Sequence, residues 1–191
     1  IGKISQVTNN DGVPFDQMKA LIKDAYERGG INTISFHQAN PVTETHSWDT
    51  TSAVPYILPG GHSHTKYLER LDLVAEFMHD LKADDGSPIP LIFRPYHEHN
   101  GDWFWWGKGP ATEQDFIALW QFTVNYLKNE KNVHNLLYAF SPDRSRIKDA
   151  ANAKEYLYGY PGDGYVDIIG LDNYFDVGSH WNKKPLKEQS V

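Results

Sequence analysis

Three features of the sequence predict an α/β fold in which parallel strands form part of a (β/α)8 TIM barrel. Apolar, β-rich runs alternate with helical segments along most of the 191 residues. Each run ends in polar or ionisable residues, where parallel α/β proteins place their functional groups. Four runs are clear and a weaker fifth covers Ile1 to Val7, whereas a closed barrel needs eight strands and about 250 residues. Residues 1–191 are therefore expected to be a partial barrel domain covering about strands 2 to 6, without the first, seventh and eighth strands.

The elements follow in order. Phe15 to Arg28 has apolar residues at helical spacing and stops at Gly29-Gly30, a helix-ending signal. Ile31 to Phe36 is a short β-rich run leading into His37, and residues 38–64 form a long Asn/Thr/Ser/Pro/Gly-rich loop holding Trp48 and Tyr56. Loops beyond about 15 residues are usually functional or disordered, and the aromatic content here favours a folded, functional one. Thr65 to Lys82 is an amphipathic helix with Leu71, Val74 and Met78 on one stripe. Ile89 to Phe93 is apolar throughout, as in a strand covered on both faces. Thr112, with Asp115 three residues on, caps a helix running to about Lys128. Asn135 to Phe140 is the next strand, Asp149 to Tyr158 a short helix, and Tyr165 to Leu171 a strand ending in Asp172-Asn173-Tyr174.

Composition narrows the function. Aromatic residues make up 14% of the chain, more than a modest core needs, and several fall in loops. The net charge is −7, and no basic stretch exceeds Lys183-Lys184, which argues against nucleic acid and anionic membranes as partners. No apolar run approaches the roughly 20 residues that span a bilayer, so membrane insertion is not expected. There is no cysteine, hence no disulfide or thiol chemistry, and no glycine-rich phosphate loop. The first residue is not Met and no signal peptide is visible, so an N-terminal portion is expected to have been removed.

The most telling stretch is Leu91 to Gly107, which begins as a strand and empties into a loop with Trp103, Trp105 and Trp106. Glu98 sits where strand becomes loop, beside Arg94, His97 and His99. Indole faces match the apolar faces of sugar rings, and carboxylates perform the proton transfers of glycoside cleavage. In an alternating strand Arg94, Tyr96 and Glu98 share a face, and aromatic neighbours would raise the Glu98 pKa toward that of a general acid. The bland alternative is a structural carboxylate paired with Arg94. Of Trp103 to Trp106, one or two are expected to face a ligand while the rest pack. Trp48 is a second possible platform. Asp172 is the candidate second carboxylate, or else an Asp tying its loop by hydrogen bonds. His97-Glu98-His99 lacks the i, i+4 spacing of helical zinc motifs, so neither metal nor other cofactor is expected. Arg144 and Arg146 receive no role, and His79 and His134 are expected at the surface.

These residues carry a family resemblance. Arg94-Pro-Tyr-His-Glu-His-Asn-Gly-Asp-Trp-Phe-Trp-Trp-Gly107 resembles the acid/base segment of glycoside hydrolase family 26, the β-mannanase family of clan A barrels. Ile34 to Val42, Ser47 to Thr51, Ile57 to Gly61, Phe140-Ser141-Pro142 and Gly170 to Tyr174 resemble further segments of that family. The resemblance implies a retaining endo-β-1,4-mannanase acting on mannan, glucomannan, galactomannan or manno-oligosaccharides, and an exported location. It implies Glu98 as acid/base with His97 shaping its surroundings, Trp103 stacking near the cleavage point, and His37 and Trp48 contacting sugars. Asp172 becomes a site residue rather than the nucleophile, Tyr174 a partner of the nucleophile, and Arg94 a support for the floor. The nucleophile is expected to be a Glu downstream of Asp172 and outside this sequence, since Glu188 lies in no apolar strand. The alternatives are the same scaffold acting on another β-glycan such as lichenan or xylan, and a non-catalytic glycan-binding protein.

Overall fold

Four parallel strands lie side by side in chain order: β1 (Asn32–Phe36), β2 (Leu91–Pro95), β3 (Leu136–Phe140) and β4 (Ile168–Ile169). The structure is a computed structural model that describes residues 7–9, 11–149 and 151–177. Asn32 pairs with Leu91, Leu91 with Leu136, and Ala139 with Ile168, all in parallel register. A doubly wound sheet reverses its strand order at a switch point. Here every strand adds to the same edge, as in a barrel, and constant crossover handedness then keeps the helices on one face.

Helix α1 (Phe15–Glu27) precedes β1, and α2 (Val54–Ile57) and α3 (His64–Asp80) connect β1 to β2. Helix α4 (Glu113–Asn125) follows β2, and α5 (Ala153–Tyr156) lies between β3 and β4. The α4 start is the expected capping box: Asp115 N donates to Thr112 Oγ1 at 3.1 Å while Thr112 N donates to Asp115 Oδ2 at 3.1 Å. Two orphan amides of the first turn are thereby satisfied.

The sheet has two unlike faces. Toward the helices it presents Phe36, Leu91, Phe93, Tyr138 and Phe140, all buried against Tyr67, Leu71, Leu119 and Trp120 among others. Aromatic edges lock this layer, with Phe93–Tyr138 centroids at 6.2 Å and Trp120–Phe140 at 5.9 Å. The other face carries Ser35, Arg94, Leu137, Ser141 and Asp172. Leu137 there is 40% exposed, while Ile92 of β2 is partly buried.

Boundaries shift in several places. β2 begins two residues later than its apolar run, because Pro90 cannot donate to a ladder and Ile89 N bonds back to Leu81 O at 3.0 Å. The loop over 38–64 contains α2. Helix α4 gives way to a π-type turn at Tyr126–Glu130. The helix expected over Asp149 to Tyr158 is only α5, and Asp163–Tyr165 form a 3₁₀ turn before the two-residue β4. The strand expected over Ile1 to Val7 falls, apart from Val7, outside the described residues, as do Glu188 and the stretch 183–191.

Candidate active site

Beyond Pro95, strand β2 leaves the sheet through an unusual backbone path. Tyr96 and Glu98 adopt left-handed conformations, with φ of 50° and 55°, each costing of order 1–3 kcal/mol for a residue other than glycine. Surrounding bonds hold the path. Glu98 N donates to Ser141 O at 2.8 Å, Trp106 Nε1 to His97 O at 2.9 Å, and Lys108 N to His99 O at 2.9 Å. The extended alternation that would put Arg94, Tyr96 and Glu98 on one face therefore ends at Pro95. Tyr96 turns into the core, where its hydroxyl meets those of Tyr67 and Thr123, and Glu98 turns toward the open ends of the strands.

Glu98 is partly buried, and Trp103 Nε1 donates to its Oε2 at 2.9 Å. Burial raises the Glu98 pKa; the Trp103 bond and Arg94 pull it down, and Asp172 and Asp143 push it up. The expected alternative, a Glu98–Arg94 pair, is not what forms. Arg94 instead donates from Nη1 to Asp172 Oδ2 at 2.6 Å and from Nη2 to Ser35 Oγ at 2.8 Å. Ser141 Oγ also donates to Asp172 Oδ2, at 2.7 Å. A polar belt thus links β1, β2 and the ends of β3 and β4 through Ser35, Arg94, Ser141 and Asp172. Burial raises the Asp172 pKa against the pull of Ser141 and Arg94.

Beside this belt, His97 and His37 share a hydrogen bond, Nε2 to Nε2 at 2.9 Å, so one ring donates and the other accepts. Burial, with Arg94 and His37 nearby, holds His97 down to about 3. Burial lowers His37 as well, with Arg94 again adding to it. Both rings are therefore neutral near pH 7. Trp48 lies near-parallel to His37 with centroids 6.0 Å apart, and it is 57% exposed. Phe104 closes the group at 5.7 Å from both His37 and Trp48.

The structure thus brings Arg94, His37, Trp48, His97, Glu98, Trp103 and Asp172 to one end of the sheet. Tyr174 follows Asp172 but stands 65% exposed. Within the 103–106 segment Trp103 is partly exposed, whereas Trp105 and Trp106 are fully buried. His99 is also buried, bonded to Tyr158 O at 2.6 Å and stacked on Phe116 at 4.2 Å. Two participants were not foreseen from the sequence, Ser35 and Arg146. Ser35 completes the belt with Ser141, which lies in the Phe140-Ser141-Pro142 segment already singled out. Phe104 packs against the histidine pair. Arg146 lies 5.1 Å from the Trp103 ring centroid and donates to Asp102 Oδ1 at 2.6 Å; no local pattern signals that contact across the fold. Among the described residues, no three His, Cys, Asp or Glu side chains converge as metal ligands.

Consecutive β/α units in strand order, with an acid, a neutral histidine pair and indoles at their strand ends, define a segment of a parallel barrel. The family model for Glycosyl hydrolase family 26 matches residues 4–184, and the chain belongs to that family. A Bifidobacterium adolescentis protein named mannan endo-1,4-beta-mannosidase is 40% identical over 175 residues, covering 89% of this chain and 17% of that protein. A Bacillus subtilis protein of the same name is 31% identical over 157 residues, covering 78% of this chain and 41% of that protein. The solved GH26 β-mannanase BoMan26A from Bacteroides ovatus superposes with a TM-score of 0.83 at 40% identity, covering 90% of this chain and 50% of that one. The chain therefore spans half or less of these relatives, and its four strands are a segment of their TIM barrel.

Proposed function

We propose that this chain carries the acid/base part of the catalytic barrel of a retaining endo-β-1,4-mannanase. Its substrate is mannan, glucomannan, galactomannan or manno-oligosaccharides. The observation that carries the reading is Glu98: partly buried, raised in pKa, bonded to Trp103 and set beside a neutral histidine pair. Raised pKa keeps the acid protonated nearer neutral pH, ready to protonate the departing glycosidic oxygen. A second carboxylate, a Glu from a following barrel strand, attacks the anomeric carbon to give a glycosyl-enzyme. Glu98 then takes a proton from the water that releases the sugar. Retention requires the two carboxyl groups to stand about 5–5.5 Å apart. No cofactor is needed, and a polymeric substrate favours an exported enzyme.

The names carried by the relatives support the substrate class. A second reading, hydrolysis of another β-glycan such as lichenan or xylan, draws support from an Acetivibrio thermocellus protein named Endoglucanase H. That protein is 33% identical over 105 residues, covering 53% of this chain and 11% of the relative. A non-catalytic glycan binder is the third. Turnover of mannan, lichenan and xylan by the intact protein separates the first two. Glu98→Ala should lower kcat/KM on mannan about 10²–10⁴-fold, the usual worth of a general acid, while manno-oligosaccharide binding persists. Absence of turnover in both forms would leave only the binder.

A further inference from the structure

We propose that Arg146 is a positioning residue for the acid/base, holding the Trp103 indole where its N–H reaches the Glu98 carboxylate. The proposal rests on Glu98 as the general acid. Three contacts fix the indole. Nε1 donates to Glu98 Oε2 at 2.9 Å. Gly101 lies so close to the ring that a Cβ there would fall 2.3 Å from Cη2, so the indole cannot settle inward. The Arg146 guanidinium lies over the ring at 5.1 Å, and Asp102, the neighbour of Trp103 in sequence, anchors that guanidinium at 2.6 Å.

The segment presenting Arg146 is itself tied to the Glu98 loop. Asn100 Nδ2 donates to Asp143 O at 2.9 Å and Asp143 N donates to Asn100 Oδ1 at 2.7 Å. Ser145 N donates to Asp143 Oδ1 at 2.7 Å, and Ile147 is buried just beyond. Arg146 therefore reaches Trp103 from a framework registered to the same loop. A cation over an indole and a half-exposed ion pair are each weak alone, but here the ion pair holds in place the guanidinium that lies over the ring.

The consequence is a titration with a defined sign. The N–H of Trp103 stabilises ionised Glu98 and so opposes the rise imposed by burial. The charged groups facing Glu98 are Asp172 from the β4 end, Asp143 from the β3 end and Arg94 from β2. Loosening the indole removes the one uncharged donor to the Glu98 carboxylate among the described residues and lets the Glu98 pKa climb.

The test is the pH dependence of kcat/KM on a manno-oligosaccharide for the intact protein, whose basic limb reports the general acid. Arg146→Ala should move that limb upward by about half to one pH unit. Trp103→Phe should move it the same way, and adding Arg146→Ala to Trp103→Phe should move it no further. Arg146→Lys, which keeps a cation for Asp102, should shift the limb less than the alanine variant. Asp102→Asn loosens the clamp from the other side without touching Arg146, and should shift the limb upward as well. A uniform loss at every pH, with the limb in place, would overturn the proposal. So would an equal shift in both backgrounds, because Arg146 would then act through its charge and not through Trp103. Full turnover in Glu98→Ala would instead sink the acid/base assignment itself, whatever Arg146 does.

Discussion

Glu98 and Asp172 share partial burial but keep different company, and that difference suits them to the different tasks proposed for them. Asp172 accepts from a guanidinium and a hydroxyl, partners that tie its carboxyl to β2 and β3 and oppose the rise that burial imposes on its pKa. Glu98 accepts from one indole N–H, a partner that orients a carboxyl without forbidding its proton. Trp48 is 57% exposed beside His37 and Phe104, and if it serves as a sugar platform its removal should be felt by ligand alone. Trp48→Ala is expected to raise KM about tenfold, the worth of roughly 1.4 kcal/mol of stacking, with kcat and thermal midpoint little changed. An unchanged KM in steady-state kinetics, or a large drop in the melting temperature, would refute a ligand-facing role. Glu98 was legible as a strand-end acid beside an indole-rich loop. The conformations of Tyr96 and Glu98 were not, because left-handed backbone at Tyr and Glu is dictated by the packing of Trp106 and Ser141, not by their own preferences. Arg146 was illegible for a similar reason: its partner lies across the fold, and an isolated surface arginine looks the same with or without one.

The loop after β2 behaves as a structural element even though it contains no regular secondary structure. Trp105 Nε1 donates to Gln38 O at 3.1 Å, Trp106 Nε1 donates to His97 O at 2.9 Å, and Phe104 stacks on Trp106 at 4.3 Å and 16°. Two of its indoles thus carry the site from beneath, fully buried with their polar edges satisfied. Trp106→Ala should destabilise the fold by about 3–5 kcal/mol through lost burial and the cavity left behind, measured as a lower midpoint in urea. A loss below about 1 kcal/mol would show that the loop collapses around the gap and is not a rigid support. The helices α1, α3 and α4 were legible because apolar stripes, the Gly29-Gly30 stop after α1 and the Thr112–Asp115 capping box of α4 are local signals. The short strands were less so. Apolar content continues past the ends of the ladders, so Ile89 reads as strand while its amide is spent on Leu81, and only two residues of the 165–171 run pair as β4. Pairing partners set those limits, and they are distant in sequence.

At the scale of the whole molecule, burying neutral histidines beside the site makes stability depend on pH. Burial lowers His97 to about 3 and His99 to about 4, against about 6.5 in an unfolded chain. His37 moves in the same direction. Between pH 6.5 and about 4 the unfolded chain binds these protons and the folded chain does not, so stability falls as pH drops through that window. At pH 5 each of His97 and His99 forgoes about 2 kcal/mol, from 1.36 kcal/mol per pH unit over about 1.5 units. The raised carboxyls of Glu98 and Asp172 act oppositely, since their folded forms hold protons more tightly than the unfolded chain does. The carboxyl of Asp49 lies outside the window, because hydrogen bonds from Thr43, Thr45 and Thr51 hold it well below the usual carboxylate range. The unfolding free energy should therefore be about 2–4 kcal/mol lower at pH 5 than at pH 7, measured by urea denaturation at both. His99→Gln deletes one of the titrations; it should be less stable than the parent at pH 7 but lose about 2 kcal/mol less on acidification. If parent and variant fall by the same amount, buried His99 is not a source of the acid sensitivity, and the loss must come from His97 and His37.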